Sequence, residues 1–441
     1  MNSGRPKVLN LICGRPLISH VLAAADALSP ERVMVVTAPG QDEVRSAVAP
    51  TQSCIQEKPL GTGDAVGVAL EALGPMEGPV VIAYGDMPLV TGEELIGVID
   101  SLPGKGTGIS VLGFRHEGDH AYGRLVLGDD GTLLRIVEAA DVSPEEKVIN
   151  FCNSGLMAAS SGKLLNGLIW RLTTDNAKGE KYLTDVIGLA HDDGIVCAAA
   201  EADAETLLGV NTRADLAVAE ATMQTRLRGA AMAAGVTLVD PTTVYLSFDT
   251  RLGRDVVVGP HVWFGPGVTV GKGVEIRPYC HIEGATIGAD AIIGPFARLR
   301  PGADIGAESH IGNFVEVKEA CVEVGAKINH LTYIGDARVG AGANIGAGTI
   351  TCNYDGFEKH WTEIGAGAFI GSNTAMVAPV VIGDGAVIGA GSVITDDVPA
   401  DNLAVARGEQ KTVPGGGTKY RAEKSQPKSG KLRGKTVSGK G

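Results

Sequence analysis

Several stretches of this sequence carry residue types that could do chemistry. In IQEKPLGTGDA (55–65), Gly61, Thr62 and Gly63 stand just before a run of helix formers. Backbone N–H groups and a hydroxyl at a helix N-terminus can hold a base or a phosphate, although Gly-Thr-Gly also makes ordinary turns. In AYGDMP (83–88), Asp86 follows an apolar run and so falls at the carboxyl end of a strand. A carboxylate there suits Mg²⁺, which takes few carboxylates and fills its shell with phosphate oxygens and water. It suits equally well a cap for the helix that TGEEL begins. His330, in INHLTY, could be a general base, since imidazole exchanges protons near neutral pH. A lone histidine can also be structural, and His261, His281, His310 and His360 lie in the same half, so the residues alone do not choose among them. The loop GAGTITCNYDGFEKHWTE gathers Asn353, Tyr354, Asp355, Lys359 and His360. It reads either as a tolerated insertion or as a ligand loop; loops on rigid scaffolds carry function, which favours the second.

The elements that must position these groups change character along the chain. Up to about residue 210, RVMVVTA (32–38), GPVVIAYGD (78–86) and GISVLGF (108–114) read as strands. RPLISHVLAAADAL (15–28) and TGDAVGVALEAL (62–73) read as amphipathic helices between them. Such alternation predicts a doubly wound, mostly parallel α/β sheet, whose ligands bind at the carboxyl ends of strands. The stretch 211–235 is rich in helix formers and predicts one long connecting helix.

From about residue 253, apolar residues recur every six positions. Val258, Phe264, Val270, Ile276 and Ile282 form one run, and after a one-residue shift Ile287, Ile293, Leu299, Ile305, Ile311 and Val317 form the next. The register returns at Ile364, Ile370, Met376, Ile382, Ile388 and Ile394. A sustained six-residue period is the hexapeptide signature of a parallel β-helix, three hexads to a coil. Between 346 and 364 the period fails, at the polar loop.

Composition narrows the class. The abundant glycine (62 residues) and scarce aromatics (4%) agree with tight, repeated corners. No run of apolar residues is long enough to span a bilayer, and the N-terminal segment lacks a signal pattern, so the expectation is a cytoplasmic protein with no membrane partner. The seven cysteines are dispersed without a CxxC pair, which reads as reduced thiols. The net charge of −13 argues against nucleic acid as the main partner. Residues 411–441 hold nine Lys/Arg and one acid, Glu423, and predict a disordered basic tail.

Taken in order, PKVL (6–9), IQEKPLGTGDA, AYGDMP, AYGRLV, NSGLM, KGEKYLTD and GVNTRADL, then RLRPGADIG, IGNFVEVK, INHLTYIGDA and GANIGAGTITCNYDG, resemble one family. It is the bifunctional bacterial enzyme of UDP-N-acetylglucosamine synthesis. The resemblance runs from PKVL to LAVARGEQ (403–410) and implies a Rossmann-like nucleotidyltransferase domain followed by a left-handed β-helix acetyltransferase. The expected division is 1–210 uridylyltransferase, 211–236 linker helix, 237–408 β-helix and 409–441 tail. The resemblance further implies Mg²⁺, UTP, acetyl-CoA and a homotrimer whose clefts lie between neighbouring β-helices. Residue by residue, it implies that Lys7 contacts phosphate oxygens, that Gln56, Gly61 and Thr62 recognise uracil, and that Asp86 and Asn211 hold the metal beside Tyr84 and Gly85. Gly123, Glu138 and Asn153 would bind the sugar. In the second half it selects His330 as the base, assigns Arg300, Lys318, Tyr333, Asn344 and Lys359 to the sugar phosphate, and assigns Ala347, Asn353, Tyr354, Ser372, Ala390 and Arg407 to acetyl-CoA. Arg300 and Lys318 suit a phosphate on charge grounds as well. Two narrower readings stand beside it: acetyl transfer alone, and a non-catalytic β-helix that binds nucleotide sugars.

One departure concerns the beginning. The family's first strand and its Gly-rich loop, of the kind LAAGxGTRM, would precede Pro6-Lys7, and Met1 falls at that motif's Met. Either the natural start lies upstream or the chain is shortened. The occupied positions downstream favour the upstream start, and the sequence as written is expected to be weak in uridylyl transfer.

Overall fold

The computed structural model describes residues 1, 3–104, 108–118, 120 and 122–425. In the first part the expected elements form with shifted ends. The apolar runs become the strands Met34–Thr37, Val80–Ile82 and Ile109–Arg115, and the helices are Leu17–Ala25 and Thr62–Leu73. The sheet differs from the mostly parallel one that the alternation predicts. Its longest strand, Phe151–Ala159, runs antiparallel to both Val80–Ile82 and Ile109–Arg115. Only Cys197–Glu201 lies parallel to Ile109–Arg115, and Met34–Thr37 pairs in parallel with Gln52–Ile55 in a separate two-stranded sheet. The reason is packing: Phe151–Ala159 is buried over most of its length between helical layers, so its apolar run fits a central strand of either direction.

A helix of 21 residues, Arg213–Ala233, follows. It starts at a reciprocal cap in which the Thr212 hydroxyl accepts from Asp215 N and the Asp215 carboxylate accepts from Thr212 N. Its packed face meets the short hairpin Leu11–Pro16 on one side and the first β-helix coil on the other. At that junction Glu220 accepts from Cys13 N at 2.8 Å. Gln224, 3% exposed, donates to Leu246 O at 2.8 Å and accepts from Leu246 N at 2.9 Å. Ser247 Oγ and Phe248 N both donate to Cys13 O. Gly14 sits in the left-handed region (φ +78°), and a Cβ there would lie 2.8 Å from Ser247 Oγ. The two domains thus meet through buried polar pairs that each satisfy the other's backbone.

The second part is a parallel β-helix. Val258 pairs with Ile276, and Ile276 with Ile293, so successive coils take 18 and then 17 residues. All the expected hexad aliphatics are buried, and one continuous apolar cluster runs from Val236 to Val398. Ile345 pairs with Ile370, a coil longer by the polar loop. Within the basic tail, Gly416–Ser425 forms a helix with no buried residue, where an unstructured chain was expected. Its run KYRAEK consists mostly of good helix formers, and Lys424 lies 5.8 Å from the Tyr420 ring one turn away. Residues 426–441 lie outside the described residues.

Gln224→Met keeps the volume but leaves the Leu246 N–H and C=O unpaired. It should cost about 2 kcal/mol, as for other unsatisfied buried groups, read as a lower midpoint in thermal or urea unfolding. Alkylation of Cys13, followed by mass spectrometry, should speed up in the same variant.

Candidate active sites

In the first domain, Thr62, Tyr84, Asp86, Gly123, Glu138, Asn153 and Asn211 line one cavity of about 300 Å³. A wider surface cleft of about 380 Å³, beside the helix Gly162–Ile169, includes none of the expected residues. The loop before Thr62–Leu73 is docked on the segment 181–183: Gly63 N donates to Lys181 O, Lys181 N to Leu60 O, and Leu183 N to Thr62 Oγ1. Gly61 has φ +115°, and a Cβ there would meet Lys181 O at 2.5 Å, so only glycine fits. Gln56 lies at the margin, where its amide donates to Gly61 O at 3.0 Å and to Asp64 at 2.9 Å. Gly85 packs against Ile18 and Val8.

Asp86 lies four residues past the end of Val80–Ile82, in the turn that follows the strand and not at its last residue, and the segment 209–211 folds against it through Val210 N to Asp86 O. The Lys7 ammonium pairs with the Asp86 carboxylate and lies 3.0 Å from Asn211 Oδ1. A cation therefore already sits between two hard oxygen donors. That donor set, one carboxylate and one amide oxygen, fits an ion such as Mg²⁺ that draws its remaining ligands from water and phosphate. Burial pushes the Tyr84 phenol up to about 12, with Glu138 adding to the shift. Glu138 is oriented by the Thr184 hydroxyl at 2.9 Å, and the Asn153 side chain accepts from Gly155 N at 2.9 Å.

Among the lining residues to which the sequence assigns no individual role are Tyr122, Lys178 and Tyr182. The Tyr182 ring is buried, yet its hydroxyl has no hydrogen-bond partner among the described residues. The Lys178 ammonium lies 6.0 Å from that ring. The polar stretch KGEKYLTD was visible as a cluster, but nothing local says which of its members turn inward.

The second group of residues lies on the β-helix. Asn313 and His330 are register partners on adjacent coils, and His330 Nδ1 lies 2.7 Å from Asn313 Oδ1. This contact leaves Nε2, which has no hydrogen bond among the described residues, to take up a proton. On the adjoining face Tyr333 pairs with Glu316, and Glu316 holds Arg300 at 2.8 Å. Lys359, from the polar loop, lies near Lys318. Its proximity and like charge, with Arg300 adding to it, hold the Lys318 ammonium below the usual lysine range. Asn344 is set apart from this cationic cluster, beside Lys327 and Phe369 in the neighbouring strands.

The residues expected at acetyl-CoA fall mostly in one column. Asn373 N donates to Ala347 O, Gly391 N to Ser372 O, and Arg407 to Ala390 O at 2.6 Å, so 347, 372, 390 and 407 stack at one corner of successive coils. Asn353 is buried at the root of the polar loop and donates to Asp336, while Tyr354 is exposed on the loop itself.

Comparison with known proteins agrees with this two-part layout. Residues 1–148 match the MobA-like NTP transferase domain, and residues 284–319 and 362–396 match the bacterial transferase hexapeptide repeats. The chain is 54% identical over 432 residues to the bifunctional protein GlmU of Paramagnetospirillum magneticum, covering 98% of this chain and 96% of that one. It is 55% identical over 423 residues to the GlmU of Rhodospirillum rubrum, covering 96% and 94%. The chain belongs to the bifunctional GlmU family. Lys7, Gln56, Gly61, Thr62, Tyr84, Asp86, Gly123 and Glu138 lie within the first matched stretch, and Arg300, Asn313, Lys318, Ser372 and Ala390 within the hexapeptide stretches.

The Lys318–Lys359 pair makes a test of the second cluster. A lysine held below its ordinary range loses charge at lower pH than a free one, so sulfate binding should weaken as pH rises, beginning below about 10.4. Lys318→Arg, whose guanidinium stays charged, should flatten that dependence in isothermal titration.

Proposed function

We propose that the chain performs two consecutive steps of UDP-N-acetylglucosamine synthesis. The β-helix transfers the acetyl group of acetyl-CoA to glucosamine-1-phosphate, and the first domain transfers a uridylyl group from UTP to the product. The observation that carries the first step is the Asn313–His330 contact on an exposed β-helix face beside a cluster of cations. His330 takes a proton from the glucosamine ammonium through Nε2, with Asn313 fixing the ring through Nδ1. The freed amine forms a bond to the acetyl carbonyl carbon, the carbon–sulfur bond breaks, and the departing CoA thiolate receives a proton. Arg300, Lys318, Tyr333 and Lys359 hold the sugar phosphate, with Asn344 further along the face. Ala347, Asn353, Tyr354, Ser372, Ala390 and Arg407 line the acetyl-CoA groove. Transfer is direct, from the thioester to the amine, without an acyl-enzyme.

In the first domain, Glu138, Asn153, Gly123 and the unpartnered Tyr182 hydroxyl bind the N-acetylglucosamine group. Gln56, Gly61 and Thr62 face the uracil. Asp86 and Asn211 would hold Mg²⁺, which when bound supplies positive charge against the phosphates. Lys7 orients the phosphate groups while a phosphate oxygen of the sugar attacks the α-phosphorus of UTP and pyrophosphate leaves.

We place the enzyme in the cytoplasm, a reading supported by the unpaired cysteines and by the lack of any helix long and apolar enough to cross a membrane among the described residues. A homotrimer is supported by an exposed stack of rings along one corner, Tyr279, Phe296 and Phe314, with centroids 4.9 and 5.1 Å apart. Leu331, exposed beside His330, extends that column. A second copy would cover it, and cyclic symmetry would close the assembly.

Separate assays of the two reactions test the assignment. His330→Ala should lower acetyl transfer by at least about a hundredfold, the usual scale for a lost general base, and leave uridylyl transfer unchanged. Unaltered acetylation would remove His330 from the mechanism.

A further inference from the structure

The polar loop is closed by a pair of side chains that the assignment above does not use. Asp355 Oδ1 accepts from Phe357 N at 2.8 Å and from Glu358 N at 2.7 Å, and its Oδ2 meets His360 Nε2 at 2.8 Å. His360 N in turn donates to Asn353 O at 2.8 Å, and Asp355 N to Glu358 O at 3.2 Å. Between them Tyr354 and Lys359 face each other in an antiparallel bridge. One carboxylate therefore ties the tip of this hairpin to its returning strand.

The rest of the loop offers little else to hold it. Residues 354–359 are exposed, and Phe357 at the tip is 93% exposed. A segment with so few buried contacts opens easily unless something restrains it. Lys359 lies near a like charge, Lys318, on which Arg300 also acts. Like charges part unless the backbone prevents it or an anion lies between them. The Lys318 contact and the Asp336 carboxylate, with Tyr333 and Glu319 adding to it, hold the Lys359 ammonium above the usual lysine range, so the backbone ties of the hairpin act together with this attraction to place it; Asp336 also accepts from the Asn353 side chain.

We propose that Asp355 and His360 are positioning residues for acetyl transfer, holding Lys359 against Lys318 so that the two ammonium groups stand ready for the sugar phosphate. The inference rests on the reading that Lys318 and Lys359 bind that phosphate. Preorganising a loop lowers the ordering cost of binding, so the effect belongs in KM and not in the chemical step. The carboxylate works through two functions that substitution can separate. Asn at 355 keeps an oxygen for the two backbone N–H groups and offers an N–H₂ to a neutral His360. Gln at 360 keeps a donor toward Asp355.

Steady-state acetylation by the full chain decides the matter. Asp355→Ala should raise the KM for glucosamine-1-phosphate about tenfold while kcat stays within about twofold, the signature of lost ground-state positioning. Asp355→Asn and His360→Gln should recover most of the KM, which a general loss of stability would not do. On a Lys359→Gln background, Asp355→Ala should add no further change, because its partner in the effect is already gone. Unchanged KM in Asp355→Ala, or a full additional increase in the double variant, overturns the positioning role. If Lys359→Gln itself leaves KM unaltered, the phosphate assignment fails, and the two failures are told apart.

Discussion

Everything on the acetyltransferase side depends on one constraint, the stacking of inward aliphatic side chains from coil to coil. Val258, Ile276, Ile293 and Ile311 lie above one another because each coil must bury its branched residue against the next. Once that register is fixed, residues 17 or 18 apart in sequence become neighbours on the surface. Asn313 reaches His330 for no other reason, and Ser372, Ala390 and Arg407 line up by the same rule, with Ala347 joining them across the coil that the polar loop lengthens. A slip of one residue would turn the apolar set outward and scatter both groups, so stability and chemistry select the same register.

The first domain works differently. Its cavity is assembled from loops far apart in sequence, and each loop is tied down by a backbone contact: Gly61 against Lys181, Asn153 N against Gly123 O, Val210 N against Asp86 O. The segment that carries Lys7 is anchored in addition by the neighbouring elements. Arg213, in the first turn of the long helix, donates to Asn10 Oδ1, and Asn10 donates to Lys7 O. A few residues on, Cys13 and Gly14 are clasped by Glu220, Ser247 and Phe248. The β-helix thus supports one face of the chain that leads into the nucleotide cavity.

How much could be read beforehand follows from these two modes of construction. The hexad period is local and repetitive, so the β-helix, its core residues and its interrupting loop were all legible. Asp86 was legible as a strand-end carboxylate, but whether it capped a helix or faced a cation depended on Lys7 and Asn211, both remote in sequence. Among the histidines, family resemblance singled out His330; the physical distinction is the Asn313 amide one coil away, which no sequence window displays. The antiparallel insertion of Phe151–Ala159 was hidden because an apolar run looks the same in either direction. Tyr182 was hidden because its cluster turns inward only after docking on Gly63 and Thr62.

Asn313 sets the His330 ring so that Nε2 is the nitrogen able to take a proton. The most direct measurement is the ¹⁵N shift and one-bond ¹H coupling of the His330 imidazole in labelled protein, at a pH where the ring is neutral. The account predicts the proton on Nδ1, donated to Asn313, with Nε2 bearing the lone pair, and loss of that preference in Asn313→Ala. A proton found on Nε2 in the unsubstituted protein would contradict it.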